Sequence, residues 1–141
     1  MVATAPLDIP VIEPSSRVQE FLQSPRQIFI NGRWQDAVSG KTFPVYNPAS
    51  GQEIAQVAEG DSEDIARAVA AARKVFDDPN HIWNTMTPSD RGKLIWRIGD
   101  LIMENLDELA ELESLDNGKP MGVAKVADVP LSADLFHYMA G

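Results

Sequence analysis

The feature that most constrains the fold of this chain is a change in hydrophobic spacing near residue 60. Residues 27–58 carry short apolar runs separated by turn dipeptides, which is typical of β-strands joined by tight turns. From Asp61 onward the apolar residues recur every three or four positions, which is the period of an α-helix. The pattern predicts an α/β chain, with a small antiparallel β-meander followed by three or four helices.

Turn dipeptides place the boundaries of the predicted strands. The Asn-Gly pair at 31–32 suits a type I′ hairpin turn, because both residues accept positive φ. Ser-Gly at 39–40 and Asn-Pro-Ala-Ser-Gly at 47–51 mark two further turns. Strands are expected on either side of each turn, and together they make up the meander.

Proline divides the chain into two parts. Residues 1–26 hold four of the ten prolines among isolated apolar residues. This composition predicts a flexible N-terminal arm, with one helical turn around Arg17–Leu22. Order is expected to begin at Gln27, so residues 27–141 form the folded part.

Capping residues predict where the helices begin and end. Asp61 and Thr87 are N-cap candidates, and Thr87 is followed by proline, which favours the first helical position. Asn105 is predicted to cap a further helix, with Glu108 at the capping-box position. Gly118 is predicted to end that helix in a left-handed conformation.

Apolar stripes predict the buried helix faces. The first helix carries Ile65, Ala68, Val69, Ala72, Val75 and Phe76 on one side. The second carries Leu94, Ile95, Ile98, Leu101 and Ile102. Both stripes have helical spacing, so we expect both to face a core.

The final segment, 121–141, also has helical spacing, but Pro130 lies inside it. Because proline removes a backbone donor, the helix is expected either to begin near Val129 or to bend there. The sequence stops directly after the apolar residues Phe136, Tyr138 and Met139. A domain rarely ends on fresh apolar surface, so we expect the natural chain to continue beyond Gly141.

Composition excludes several classes of function. The net charge of −9 disfavours nucleic acid and anionic membranes as partners. No apolar stretch is long enough for a transmembrane helix, and Met1–Pro14 lacks the basic and apolar regions of a signal peptide. A cytoplasmic location is therefore expected. The chain has no cysteine, which excludes a disulfide, a thiolate metal site and a thiol nucleophile within it.

The sequence contains no recognisable catalytic or cofactor-binding motif, so we expect no catalytic and no cofactor-binding residue in this chain. Gly40-Lys41-Thr42 resembles the end of a phosphate-binding loop, but Gln35 occupies the position that requires glycine. The dinucleotide-binding G-x-G-x-x-G pattern is absent. His81 and His137 are isolated, and His137 is interpreted as a packing or boundary residue.

Asp116 differs from the other acids of its helix, which are interpreted as a solvated face. It lies at the predicted C-terminus, where the helix dipole disfavours a negative charge. A partner is therefore expected: a cation, Lys119 or backbone N–H groups of the turn. An oxygen-lined cation site is one physically reasonable interpretation.

A collinear set of segments resembles the beginning of NAD(P)-dependent aldehyde dehydrogenases. The segments are Phe29–Trp34, Phe43–Gly51, Ala58–Asp61, Arg73–Phe76, Trp83, Arg91 with Leu94, Leu112–Pro120 and Tyr138–Gly141. They span the ordered part of the chain, and they are most similar to betaine, retinal, mitochondrial-type and phenylacetaldehyde dehydrogenases.

The resemblance implies that residues 27–141 are the incomplete N-terminal part of a Rossmann-like NAD(P)-binding domain. The full-length enzyme would oxidise an aldehyde to a carboxylic acid with NAD or NADP. A cysteine would attack the carbonyl, and a glutamate-activated water would release the acid. No residue here matches those groups, so this segment alone is expected to be inactive. A homo-oligomer, either a dimer or a tetramer, is also implied.

The same resemblance implies two sets of site residues. A monovalent cation, K⁺ or Na⁺, would be bound by the backbone carbonyls of Val45 and Tyr46 and by the Asp116 carboxylate. Ala127 and Leu131 would line the aldehyde tunnel. The small side chain of Ala127 would admit an aromatic aldehyde such as phenylacetaldehyde.

Two alternatives stay open on the sequence alone. One is a non-catalytic helical binding or regulatory module derived from the same fold. The other is a semialdehyde dehydrogenase of the same superfamily, which only downstream pocket residues would distinguish. A cysteine-bearing continuation of the reading frame would favour an enzyme over a binding module.

Overall fold

A computed structural model describes residues 13–24 and 26–141, and it confirms the predicted α/β class. The strands are β1 (Ile28–Ile30), β2 (Arg33–Gln35), β3 (Thr42–Tyr46) and β4 (Glu53–Ala58). The helices are α1 (Ser16–Leu22), α2 (Ser62–Asp77), α3 (Ile82–Thr85), α4 (Pro88–Glu104), α5 (Leu106–Asn117), α6 (Met121–Val123) and α7 (Val129–Ala140). A π-helical turn, Ala124–Asp128, joins α6 to α7. No helix of the described part is long and apolar enough to cross a membrane.

The strands do not form the single meander that the turns predict. β1 pairs with β2 and β3 pairs with β4, and these are two separate antiparallel hairpins. In the described part of the chain, an isolated bridge links Arg26, just before β1, to Val57 of β4, and in it the Arg26 N–H donates to the Gln56 carbonyl at 2.8 Å. The turn at Ser39–Gly40 redirects the chain instead of pairing β2 with β3, because Val38 is held to helix α2 by Asp64.

Helix α1 occupies the predicted helical turn of the N-terminal arm and packs against α5. Its Val18 is fully buried, and Arg17 forms an ion pair with Glu108 at 2.7 Å. The backbone N–H of Ser15 also donates to the buried carboxylate of Glu111. The arm therefore contains a docked helix at 16–22. Residues 1–12 lie outside the described part, and the predicted flexibility of the arm stays a prediction.

Capping residues account for several helix ends. Asp61 caps α2 in a capping box with Asp64, and Thr87 caps α4 by accepting from the Asp90 N–H at 3.2 Å. Gly118 ends α5 with φ 77°, as predicted. The prediction for Asn105 is wrong in part. It precedes α5, but its side chain makes no capping hydrogen bond and instead donates to the Leu101 carbonyl at 2.8 Å.

The predicted burial of the α2 and α4 stripes is wrong for most of their large side chains. Ile65, Val69 and Phe76 of α2 are 62%, 54% and 72% exposed. Leu94 and Leu101 of α4 are also exposed. The side of α2 that meets the rest of the protein carries small and polar residues instead: Asp64, Ala68, Ala71 and Val75. Much of each apolar stripe is therefore exposed, whereas Ile95 and Ile102 of α4 are half-buried.

A small core lies where α5 meets the π turn and α7. Its buried members are Ala110, Ala124 and Val129, with Ile102, Leu106 and Leu109 packed around them. The π turn resolves the conflict posed by Pro130. α7 begins at Val129, so the proline falls in the first helical turn, where its missing N–H costs no hydrogen bond. The first of the two predicted paths is therefore correct.

Candidate functional site

The predicted cation site lies at a corner formed by the β3–β4 turn and the end of α5. Asn47 is buried and shapes the turn: its Oδ1 accepts from the Ala49 N–H at 2.8 Å. The turn also touches the end of α5, since a Cβ added to Gly118 would lie 3.0 Å from Cγ of Pro48. The two segments that were assigned cation ligands from sequence are thus neighbours in the fold.

Asp116 is exposed at this corner, in the last turn of α5. Among the described residues, its carboxylate has no hydrogen bond or ion pair. Val45 is half-buried and Tyr46 is 53% exposed at the end of β3. The corner therefore presents an uncompensated carboxylate at the negative end of a helix dipole, close to the turn that follows two candidate carbonyls.

Lys119 does not pair with Asp116, although the sequence allowed it as a partner of that carboxylate. Its Nζ lies 2.6 Å from Asp128 Oδ2 and 3.5 Å from Glu113 Oε1. The hydrogen bond to Asp128 raises the pKa of Lys119 above its ordinary value, so the ammonium stays charged and fixed to the π turn.

Ser114 holds the loop after α5 in place. Its buried side-chain hydroxyl donates to the Lys119 carbonyl at 2.7 Å, and the Lys119 N–H donates to Asn117 Oδ1 at 2.8 Å. These bonds fix the corner from the helix side. Sequence reasoning missed Ser114 and Asp128 because neither contact follows from helical spacing.

The two predicted tunnel residues lie on the π turn and on α7. Ala127 is half-buried within the π turn, whereas Leu131 is 65% exposed on α7. The described residues therefore supply at most one side of a tunnel. Its opposite side would have to come from atoms other than those described.

A cleft of about 780 Å³ lies between α4 and the end of α7, away from the predicted tunnel residues in the chain. Its lining includes Trp96, Arg97 and Asp100 of α4. Beside it, His137 of α7 stacks on Trp96 with ring centroids 4.3 Å apart, and its Nε2 lies 3.1 Å from Asp100 Oδ1. His137 is thus a packing residue between helices, as predicted. His81 caps α3, because its Nδ1 accepts from the Trp83 N–H at 3.2 Å.

Side-chain ligands alone do not assemble a metal centre in the described part of the chain. No group of three or more His, Asp or Glu residues there could hold a metal ion. The predicted cation site differs in kind, because two of its three ligands are backbone carbonyls. Such oxygen donors suit hard cations.

The fold and these contacts define a class of protein: an α/β protein with two antiparallel hairpins and a set of helices. The sequence profile of the Aldehyde dehydrogenase family matches residues 34–141. The chain belongs to the aldehyde dehydrogenase family.

Individual relatives agree with this assignment. The chain is 46% identical over 131 residues to aldehyde dehydrogenase family 2 member B4, mitochondrial, from Arabidopsis thaliana, covering 93% of the chain and 23% of the relative. It is 45% identical over 139 residues to a mitochondrial benzaldehyde dehydrogenase from Antirrhinum majus, covering 99% and 24%. The NAD⁺ complex of an aldehyde dehydrogenase from Bacillus cereus superimposes with a TM-score of 0.88 at 44% identity, covering 92% and 26%. The chain thus spans about a quarter of the length of these relatives.

Proposed function

We propose that this chain is the N-terminal part of an enzyme that oxidises an aldehyde to a carboxylic acid with NAD⁺ or NADP⁺. The observation that carries the proposal is the family match over residues 34–141. The structural likeness to an NAD⁺-bound aldehyde dehydrogenase at a TM-score of 0.88 supports the cofactor. When bound, the nicotinamide supplies the hydride acceptor. No catalytic step is assigned to a residue of this chain.

Expression of the full reading frame tests this function. We expect reduction of NAD⁺ or NADP⁺ that depends on added aldehyde, followed by absorbance of the reduced nicotinamide. The 141-residue chain alone should show none, because it has no cysteine to attack the carbonyl. Absence of aldehyde-dependent reduction in a folded full-length protein would instead favour the non-catalytic binding module.

The substrate class is a finer part of the proposal: an aromatic aldehyde such as phenylacetaldehyde. Ala127 supports it because a small side chain on the π turn leaves room for a ring. The 45% identity to a protein named benzaldehyde dehydrogenase is compatible with it. A semialdehyde substrate would instead require a second polar group in the pocket.

Ala127→Val in the full-length enzyme tests the tunnel assignment. Extra methyl groups in a pocket are worth about 1–3 kcal/mol, so kcat/KM for phenylacetaldehyde should fall by about tenfold relative to a short aliphatic aldehyde. Leu131→Val serves as the companion variant, because it shortens the second proposed wall residue. An unchanged ratio of the two kcat/KM values in Ala127→Val would remove Ala127 from the tunnel.

The proposal also includes a cation site. In it, K⁺ or Na⁺ is bound by the carbonyls of Val45 and Tyr46 and by the carboxylate of Asp116. Its support is the exposed Asp116 carboxylate and the contact between Gly118 and Pro48. Lys119 is engaged elsewhere, so it leaves this charge for another partner.

Asp116→Ala in the full-length enzyme tests the cation site. We expect the K⁺ or Na⁺ concentration for half-maximal stimulation to rise several-fold, since the variant loses the charged ligand that this chain would supply. Glu63→Ala is the control, because Glu63 is an exposed acid that forms no ion pair among the described residues. Equal salt responses in the two variants would contradict the assignment.

We also predict that the full-length protein is a homo-oligomer and that it is located in the cytoplasm. Two plant relatives are named as mitochondrial proteins, so cell fractionation is the appropriate test of the compartment. Light scattering of the full-length protein distinguishes a dimer from a tetramer.

A further inference from the structure

We propose that Asn31 is a site of spontaneous deamidation and isoaspartate formation, and that the fold protects Asn117 from the same reaction. Both residues precede glycine, at Asn31-Gly32 and Asn117-Gly118. Sequence alone therefore predicts equal reactivity. The structure separates them, because the reacting atoms are free at one site and hydrogen-bonded at the other.

Asn31 and Gly32 form the tip of the β1–β2 hairpin, where Ile30 pairs with Arg33. Both tip residues have positive φ, 53° and 75°, and both are exposed. Within the described residues, neither the Asn31 side chain nor the Gly32 N–H makes a hydrogen bond. Nothing there holds the side-chain amide away from the following backbone nitrogen.

Asn117 and Gly118 end helix α5, and the same atoms are engaged. The Gly118 N–H donates to the Ser114 carbonyl at 3.0 Å. Asn117 Oδ1 accepts from the Lys119 N–H at 2.8 Å, and its Nδ2 donates to Glu113 Oε1 at 3.3 Å. Cyclisation at this site must first break these bonds, which adds to the barrier.

The reaction needs only water. The Gly32 nitrogen attacks Cγ of Asn31, forming a C–N bond; the side-chain nitrogen leaves as ammonia, carrying the proton from the attacking N–H. The resulting succinimide is opened by water at either carbonyl, which produces aspartate or isoaspartate. The product has one more negative charge than the parent.

Isoaspartate would alter the hairpin itself. It inserts an additional backbone methylene into a turn whose geometry depends on both tip residues having positive φ. The Ile30–Arg33 pair closes that turn, so it is the first pair expected to open. Exposure of the site also makes it accessible to an isoaspartate-methylating enzyme.

Peptide mapping of the purified full-length protein tests the proposal. Trypsin isolates the sites on different peptides, 27–33 for Asn31 and 98–125 for Asn117, because cleavage does not occur between Lys119 and Pro120. After incubation at mildly alkaline pH, the mass change from amide to acid should accumulate several-fold faster at Asn31. Labelling by protein-isoaspartate methyltransferase should be located on the same peptide.

Two controls test whether the fold sets the difference in rate and whether the signal comes from Asn31. In denaturant the difference between the sites should shrink, because the hydrogen bonds at Asn117 are lost. Asn31→Gln should abolish the early methyltransferase signal, since glutamine does not form the five-membered ring. The proposal is overturned if the folded chain converts Asn117 as fast as Asn31, or if Asn31 converts more slowly when folded than when denatured.

Discussion

At the residue scale, Asp64 shows how one side chain can connect two parts of the fold. It is 2% exposed, and its carboxylate accepts from the N–H groups of Val38 at 3.1 Å and of Asp61 at 3.2 Å. Arg67 lies 3.5 Å away and offsets part of the charge. Asp64 therefore completes the cap of α2 and also fixes the segment that follows β2.

Asp64→Ala is predicted to loosen both contacts. Losing a hydrogen bond to a charged acceptor costs about 1.5–3 kcal/mol, so exchange of the Val38 amide should accelerate about tenfold or more. Glu63→Ala is the matched control, since Glu63 is an exposed acid in the same helical turn. Hydrogen exchange followed by mass spectrometry measures both variants. Equal protection of Val38 in the two variants would show that the Asp64 contact is dispensable.

Local chemistry explains which residues the sequence predicts well. N-caps at Asp61 and Thr87 and the left-handed Gly118 depend on neighbours within a few positions, and all three are confirmed. Asn105 fails as a side-chain cap because Arg17, 88 positions away, binds its Oδ1. Partners so distant leave no trace in local spacing.

At the scale of elements, α4 and α7 approach closely where their small residues meet. A Cβ added to Gly99 would lie 2.4 Å from His137 Nε2 and 2.9 Å from the Ala133 carbonyl oxygen. Ala133 is buried at the same contact. Glycine is required here by the neighbouring helix and not by its own backbone conformation.

Gly99→Ala is predicted to separate α4 from α7 locally. Overpacking of this kind costs about 1–3 kcal/mol, although alanine favours helix in isolation. Gly122→Ala provides the control, because a Cβ there meets nothing within 4 Å. Hydrogen exchange should accelerate in both α4 and α7 for Gly99→Ala and stay unchanged or slow for Gly122→Ala. Unchanged exchange in Gly99→Ala would mean that the helices tolerate the added methyl.

The strands show the same division between local and distant information. Their positions follow from turn dipeptides, and the observed strands match those predicted along 27–58. The grouping of the strands into two hairpins does not follow from the turn dipeptides. It depends on the bridge from Arg26 to β4 and on the hydrogen bond from Val38 to Asp64. Sequence spacing identifies strands, whereas contacts from distant residues decide which strands pair.

At the scale of the whole molecule, many large apolar side chains of α2, α4 and α7 are exposed. Exposed members include Phe76 at 72%, Leu131 at 65% and Tyr138 at 80%. Exposed apolar side chains on this scale are typical of a surface that interacts with another apolar surface. The sequence predicts the stripes correctly but not their exposure, because amphipathicity identifies an apolar face without identifying what covers it.

The 141-residue chain is predicted to melt broadly and to bind a hydrophobic dye under native conditions. The reason is the large exposed apolar area together with a small core around Ala110 and Val129. Replacing Ile65 and Phe76 together by serine should lower dye fluorescence with little effect on stability, since both are exposed. Calorimetry that gives a single sharp transition, with equal calorimetric and van't Hoff enthalpies, would contradict this prediction.

For the candidate site, too, the sequence indicates individual residues but not the contacts between distant segments. Asp116 stands out in the sequence because its position opposes the helix dipole, and the family resemblance supplied Val45 and Tyr46. The structure adds the Gly118–Pro48 contact and the engagement of Lys119 by Asp128. Neither could be derived from spacing, because each joins segments that meet only after folding.

The π turn at Ala124–Asp128 has a consequence for how such proteins diverge. In it the Val129 N–H bonds to the Ala124 carbonyl, so the turn holds one residue more than an α-helical turn would. Deleting one residue here would restore a continuous α-helix, and α7 would stay packed against α4. Each residue of a helix accounts for about 100° of rotation, so the same deletion would swing Ala127 around the axis. An insertion or deletion at this turn can therefore remodel the proposed substrate wall in one genetic step, without any substitution in the wall itself.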